Sequence, residues 1–101
     1  MEMKKIVVLA SGTGTNFCAI ADAVKAGLIP GVEISALICN RAGAQVLKEA
    51  AKRNIQTVLV DSSRFKLFGG KFNRTYYEQE LLVELRKFSP DWICLAGYID
   101  R

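Results

Sequence analysis

Short continuous apolar runs and helical stripes take turns along this chain, and the alternation predicts strand and helix in strict succession. Ile6-Val7-Val8-Leu9-Ala10 is unbroken by any polar residue, the pattern of a strand covered on both faces. Phe17, Ile20, Ala21, Val24 and Leu28 then recur at helical spacing, with Gly27 as a stop. Ile29-Pro30-Gly31 turns the chain into 32–39, a second strand that alternates at first and is then continuously apolar. After the polar stretch Asn40-Arg41-Ala42-Gly43, a short helix over 44–53 puts Leu47, Ala50 and Ala51 on one face. Thr57-Val58-Leu59-Val60 reads as the third strand and 61–72 as an irregular loop. Asn73 caps a helix carrying Tyr77, Leu81, Leu82, Leu85 and Phe88, which Ser89-Pro90 ends, and 91–96 is the fourth strand.

Four strands joined by helical crossovers imply a parallel sheet with helices on both sides, a Rossmann-like three-layer α/β fold. Right-handed crossovers make 3-2-1-4 the expected strand order. The winding then reverses between strands one and four, and their carboxyl ends open the crevice in which such sheets bind ligands. At 101 residues, half of them apolar, the chain fills one core, so residues 1–101 form a single domain.

The segment that feeds this crevice is Ser11-Gly12-Thr13-Gly14-Thr15-Asn16, directly between the first strand and the first helix. A glycine-rich turn lets backbone N–H groups approach an anion without Cβ obstruction, and the positive end of the helix dipole adds to the attraction. Thr13, Thr15 and Asn16 supply further donors. The bland reading of the same residues is a tight turn with Thr15 as N-cap and no ligand. A dinucleotide fingerprint would put a third glycine at position 17, where this chain has Phe17.

The formal charge of +4, with both signs interspersed, favours small anions without requiring nucleic acid. No apolar run reaches membrane-spanning length. Cys18, Cys39 and Cys94 are odd in number and lack metal-ligand spacing; they read as reduced, buried fillers of a cytosolic protein, with no metal site.

Ser11-Gly12-Thr13-Gly14-Thr15-Asn16, Cys39-Asn40-Arg41-Ala42, Arg74 ahead of Tyr77, and Pro90-Asp91 through Leu95-Ala96-Gly97-Tyr98 together resemble the amino-terminal half of the glycinamide ribonucleotide formyltransferase family. The resemblance covers essentially the whole chain. It implies a purine-biosynthesis transfer of a formyl group from 10-formyltetrahydrofolate to glycinamide ribonucleotide, with Thr13, Gly14, Thr15 and Asn16 holding the ribonucleotide phosphate. The family's next segment contributes to the folate pocket and usually reads Met-Arg after the tyrosine. Here Ile99-Asp100-Arg101 stands instead, so Tyr98 and Arg101 are the candidate cofactor contacts.

Formyl transfer to an amine needs a group that polarises the formyl oxygen and one that takes a proton from the nitrogen. By resemblance these are an asparagine, a histidine and an aspartate beyond the Leu95-Ala96-Gly97-Tyr98 strand. The 101 residues contain no histidine, and no catalytic residue is assigned among them: the chain reads as truncated before the catalytic segment. Asp61, Asp91 and Asp100 lie near strand ends and read as ordinary boundary acids.

Residues 62–77 carry Arg64, Lys66, Lys71 and Arg74 among Phe65, Phe68 and Phe72 without an intervening acid. Such interleaving suits single-stranded nucleic acid, an anionic folate tail, a neighbouring phosphate, or a solvated loop whose phenylalanines cap the core. Three classes therefore remain: the formyltransferase, an NADP-type oxidoreductase in which Asn40-Arg41 would receive the 2′-phosphate, and a non-catalytic phosphate-binding module. The apolar fourth strand would form a sheet edge, and an exposed edge of that kind is expected to self-associate.

Overall fold

Burial of four successive residues decides the architecture. Val7, Val8, Leu9 and Ala10 are all at or near zero exposure, so the strand they form, β1 (Lys4–Ala10), has a helical layer on each face and a strand on each edge. The computed structural model, which describes residues 3–65 and 73–98, supplies all four neighbours. β1 pairs in parallel with β2 (Val32–Cys39) on one side and with β4 (Trp92–Leu95) on the other; β2 also pairs in parallel with β3 (Thr57–Leu59). The order is β3-β2-β1-β4, as the crossover rule requires. In β2 the register steps from Ile6 opposite Ile34 to Val7 opposite Ala36, passing over Ser35. That bulge falls where the sequence changes from alternating to continuously apolar.

Side chains sort onto the two faces by the period of two. Val8, Ala10, Leu37 and Cys39 meet Phe17 and Ala21 of α1 (Thr15–Lys25) and Val46 and Ala50 of α2 (Gln45–Lys52). Val7, Leu9 and Ile38 meet Tyr77 and Leu85 of α3 (Arg74–Phe88) on the opposite face. The Phe65 ring stands edge-on to Tyr77 with centroids 5.6 Å apart, and the Arg64 guanidinium lies 5.6 Å from the Phe65 centroid. For Phe65, core capping is therefore the observed role. Lys66, Phe68, Lys71 and Phe72 lie outside the described residues.

Helix ends follow the local chemistry. The N–H groups of Gly27 and Leu28 bond the carbonyls of Val24 and Ala23, a double bond pattern closed by Gly27 at φ 79°. Leu28, expected on the apolar stripe of α1, instead lies beyond the helix and is 76% exposed. In α2 the buried pair is Val46 and Ala50, whereas Ala51, expected on that face, is exposed. Asn73 caps α3 through its side-chain oxygen, which accepts from the Tyr76 N–H at 3.3 Å. Leu82, expected inside, is 48% exposed. Of the cysteines, Cys39 is buried, whereas Cys18 and Cys94 are only half-buried, and all three are free.

One ionic cluster joins α1 to α2. The Arg53 guanidinium bonds both carboxylate oxygens of Asp22, at 2.9 and 3.2 Å, and donates to Glu49 Oε1 at 3.0 Å. Gln45 donates to the other Glu49 oxygen at 2.8 Å. Hydrogen bonds from Gln45 and Arg53 hold the Glu49 carboxyl down at about 2, and Arg53 likewise lowers Asp22. A depressed carboxyl contributes stability above its ordinary value of 4.5, and that stability is lost as pH falls through the folded value. Thermal unfolding followed from pH 7 downward should therefore show a loss of melting temperature between pH 4.5 and about 2 that is shallower in Glu49→Gln. Equal acid slopes in the two proteins would exclude a role for this carboxylate.

Candidate functional site

The turn after β1 is built by two glycines with different duties. Ser11 is buried as it leaves the strand, and Gly12 faces open space. Gly14 adopts the left-handed conformation, φ 86°, and serves as the N-cap of α1; its carbonyl accepts the first helical bond from the Cys18 N–H at 2.7 Å. Thr15, the N-cap in the ligand-free reading of this turn, is the first residue of the helix instead. A side-chain cap would need an extended residue at that point, and only glycine reaches the left-handed corner cheaply. α1 accordingly begins with no side-chain cap bond and no acid in its first turn, which leaves the positive end of its dipole facing the crevice. Thr13 and Thr15 hold their hydroxyls 3.2 Å apart across the loop.

The other wall comes from the end of β4. The Ala96 N–H continues the ladder to Leu9 O at 2.8 Å, and Gly97, at φ 74°, then turns the backbone away. Residues 12–16 and the pair Ala96 and Gly97 together line one concavity of about 180 Å³. Two segments some eighty residues apart thus converge where the winding reverses. All four candidate phosphate contacts, Thr13, Gly14, Thr15 and Asn16, are among its lining residues.

Sequence reasoning missed the support beneath this loop. The Val46 N–H, in the first turn of α2, bonds Gly12 O at 3.0 Å. A Cβ built on Gly14 would stand 2.8 Å from Val46 Cγ2 and 3.0 Å from its Cα. Gly14 is thus required by its backbone angle and by α2, whatever approaches from the crevice. No motif announces Val46; only a three-dimensional contact reveals it. Asn40 was grouped with a polar loop, yet it is fully buried at the end of β2, while Arg41 to Gly43 are exposed. A polar residue directly after four buried apolar ones is the signal that could have marked it.

Tyr98 packs its ring against the cluster on the α3 face, and its buried hydroxyl has no hydrogen-bond partner among the described residues. It does not line the concavity. Arg101 and Asp100 lie outside the described residues. Asp61 accepts from the N–H and hydroxyl of Ser63, at 3.0 and 2.7 Å, and these bonds lower its pKa. Asp91 accepts from the Lys5 N–H at 2.8 Å and returns a bond to the Lys5 carbonyl at 2.9 Å. Both acids are engaged in local backbone structure away from the concavity. Burial pushes the Cys39 and Cys18 thiols up, which makes poor nucleophiles of them. Among the described residues no helix is long and apolar enough to cross a membrane, and no three His, Cys, Asp or Glu side chains gather as a metal site.

The fold recurs in known proteins. The phosphoribosylglycinamide formyltransferase of Escherichia coli is 37% identical over 94 residues, which take in 93% of this chain and 41% of that protein. Its counterpart in Schizosaccharomyces pombe is 34% identical, covering 93% of this chain and 46% of its own length. A solved phosphoribosylglycinamide formyltransferase from Coxiella burnetii superposes with a TM-score of 0.85 at 38% identity, over 99% of this chain and 44% of that one. The glycinamide ribonucleotide transformylase 1 of Geobacillus kaustophilus gives 0.81 at 39%, over 97% and 48%. The chain therefore spans less than half the length of these relatives, and the match falls on their amino-terminal part. Residues 4–100 match the formyl transferase family model, and the chain belongs to that family.

Proposed function

We propose that this chain supplies the phosphate-binding half of a glycinamide ribonucleotide formyltransferase of purine biosynthesis. The observation that carries the reading is the shared concavity of residues 12–16 with Ala96 and Gly97, at the carboxyl ends of β1 and β4. Backbone N–H groups at the uncapped start of α1 and the side chains of Thr13, Thr15 and Asn16 are the donors offered to the phosphate. A 180 Å³ space suits one phosphate group better than a dinucleotide, which supports a mononucleotide substrate over NADP. The names of the relatives in E. coli and S. pombe carry the same substrate.

The formyl donor in this reading is 10-formyltetrahydrofolate, met by residues from Tyr98 onward. The buried Tyr98 hydroxyl leaves one polar atom there for a neighbour beyond the described residues, which supports Tyr98 at that end of the site; Arg101 is named beside it on the resemblance alone. Among residues 1–101 we assign no catalytic group: the acids near the strand ends that the structure describes serve the backbone, and the sequence has no histidine. Free Cys18, Cys39 and Cys94 fit a reducing compartment, and we place the protein in the cytoplasm.

The β4 edge supports a role for further polypeptide. Trp92, Ile93 and Leu95 are 55, 50 and 68% exposed, a row of large apolar side chains on a strand with no neighbour beyond it among the described residues. In our reading a carboxy-terminal half covers this edge and brings the catalytic groups to the concavity, and without it the 101-residue chain associates with itself there.

Calorimetric titration with glycinamide ribonucleotide tests the loop. Asn16 is exposed and bonds nothing that the fold needs, so Asn16→Ala should leave the melting temperature unchanged and weaken binding about tenfold, the worth of a hydrogen bond to a charged group. Undiminished affinity would remove Asn16 from the site. In the same instrument NADP should bind no better than a simple phosphate monoester; tight, adenine-dependent binding would promote the oxidoreductase reading instead. Size-exclusion chromatography and a formyl-transfer assay address the edge. The isolated chain should elute as an oligomer or aggregate and transfer no formyl group until a carboxy-terminal half is added in trans, whereas an active monomer contradicts the division of labour.

A further inference from the structure

We propose that Val46 is the positioning residue of the phosphate loop, holding Gly12 and Gly14 in place from behind so that the loop's shape is set by α2 rather than by its ligand. The proposal rests on the reading that residues 12–16 bind a phosphate. Val46 makes two contacts of different kinds with the loop. Its N–H donates to Gly12 O at 3.0 Å, and its side chain crowds the position a Cβ of residue 14 would take, which is 2.8 Å from Cγ2 and 3.0 Å from Cβ and Cα. Gly14 therefore sits directly against a branched side chain that is itself fully buried.

The backstop is not free to recede. Val46 belongs to the apolar cluster with Phe17, Ala21 and Ala50, and one turn after Ala50's neighbour Glu49 the helix is tied to α1 through Arg53, which bonds Asp22 and Glu49 together. Gly14 is the N-cap of α1, so α2 grips both the loop and the helix that follows it. An open phosphate loop otherwise has only its own backbone to keep its N–H groups pointed at one place, and glycines give little resistance. A fixed wall at Gly14 removes that freedom before the ligand arrives, which lowers the ordering cost of binding.

A positioning role separates from a merely structural one by comparing shape with stability. Val46→Thr keeps the branched shape but buries a hydroxyl; Val46→Ala removes Cγ2, the nearest atom of the wall, and leaves Cβ and Cα at 3.0 Å. Gly14→Ala adds the Cβ that collides, and Gly14→Ala/Val46→Ala relieves part of that collision. Affinity for ribose 5-phosphate is measured by calorimetry, with melting temperature alongside and each variant shown folded by its amide NMR spectrum. We expect Val46→Thr to melt lower yet bind within about twofold of the unaltered chain, and Val46→Ala to bind about threefold weaker or more. Gly14→Ala should lose about tenfold, from left-handed strain and the collision together, and the double variant should regain about threefold of that. Unchanged affinity in Val46→Ala, affinity that merely follows melting temperature across Thr and Ala, or a double variant no better than Gly14→Ala overturns the proposal. Should the unaltered chain bind no phosphate monoester, the phosphate reading fails by itself. The Val46 contact is then judged on melting temperature, where Gly14→Ala must cost less in the Val46→Ala background than alone, and an equal cost refutes it.

Discussion

Two-sided burial of β1 is the constraint from which the remaining structure follows. With Val7 and Leu9 turned to one face and Val8 and Ala10 to the other, neither face can meet water without exposing large aliphatic area, at about 25 cal/mol per Å². The strand must therefore lie inside a sheet, between layers. The chain satisfies that by winding β2 and β3 to one side and bringing β4 back to the other. The return crossing puts α3 on the face opposite α1 and α2, and the reversal opens the crevice. The site is thus a by-product of how the central strand is kept dry.

Much of this was legible because local and global preferences agree. The continuous run at 6–10, the stop at Gly27, the cap at Asn73 and the break at Ser89-Pro90 each have a local cause that tertiary structure left in force. The departures have two causes. Leu28 lies past the end of α1, which Gly27 closes, whereas Ala51 and Leu82 fit an apolar helical stripe on paper, but a stripe specifies only a direction, and the width of the face that the sheet covers is set by packing. Asn40 errs in the opposite sense: its polarity suggested solvent, and its position directly after β2 buries it.

For the site, the sequence disclosed which residues converge but not why the loop holds its form. Residues 12–16 and 96–97 could be paired from topology alone, because both follow the carboxyl ends of strands that the crossover rule makes neighbours. Gly14 looked like a residue kept small for a ligand. Its positive φ and the Val46 side chain behind it are sufficient causes without one. Gly12 is the informative contrast, since nothing lies within 4 Å of where its Cβ would be. A loop with one glycine forced by packing and one left open toward the concavity has its shape set internally and its surface left available.

The same logic explains the asymmetry between the two sheet edges. β3 is only three residues long, with Thr57 exposed and Leu59 its single exposed large apolar side chain, at 42%. β4 has the composition of an interior strand, yet among the described residues it pairs with β1 alone, and Trp92, Ile93 and Leu95 show half or more of their surface. Asp91, which bonds the Lys5 backbone at the start of the strand, secures β4 to β1 but does nothing for the outer face. A protein selected to present this edge to water would be expected to place a lysine or proline along it, and the four residues of β4 include neither. The amino-terminal part of longer formyl transferases carries the same fold, and in this chain the crevice at the carboxyl ends of β1 and β4 lies beside the strand that leaves the most apolar surface exposed.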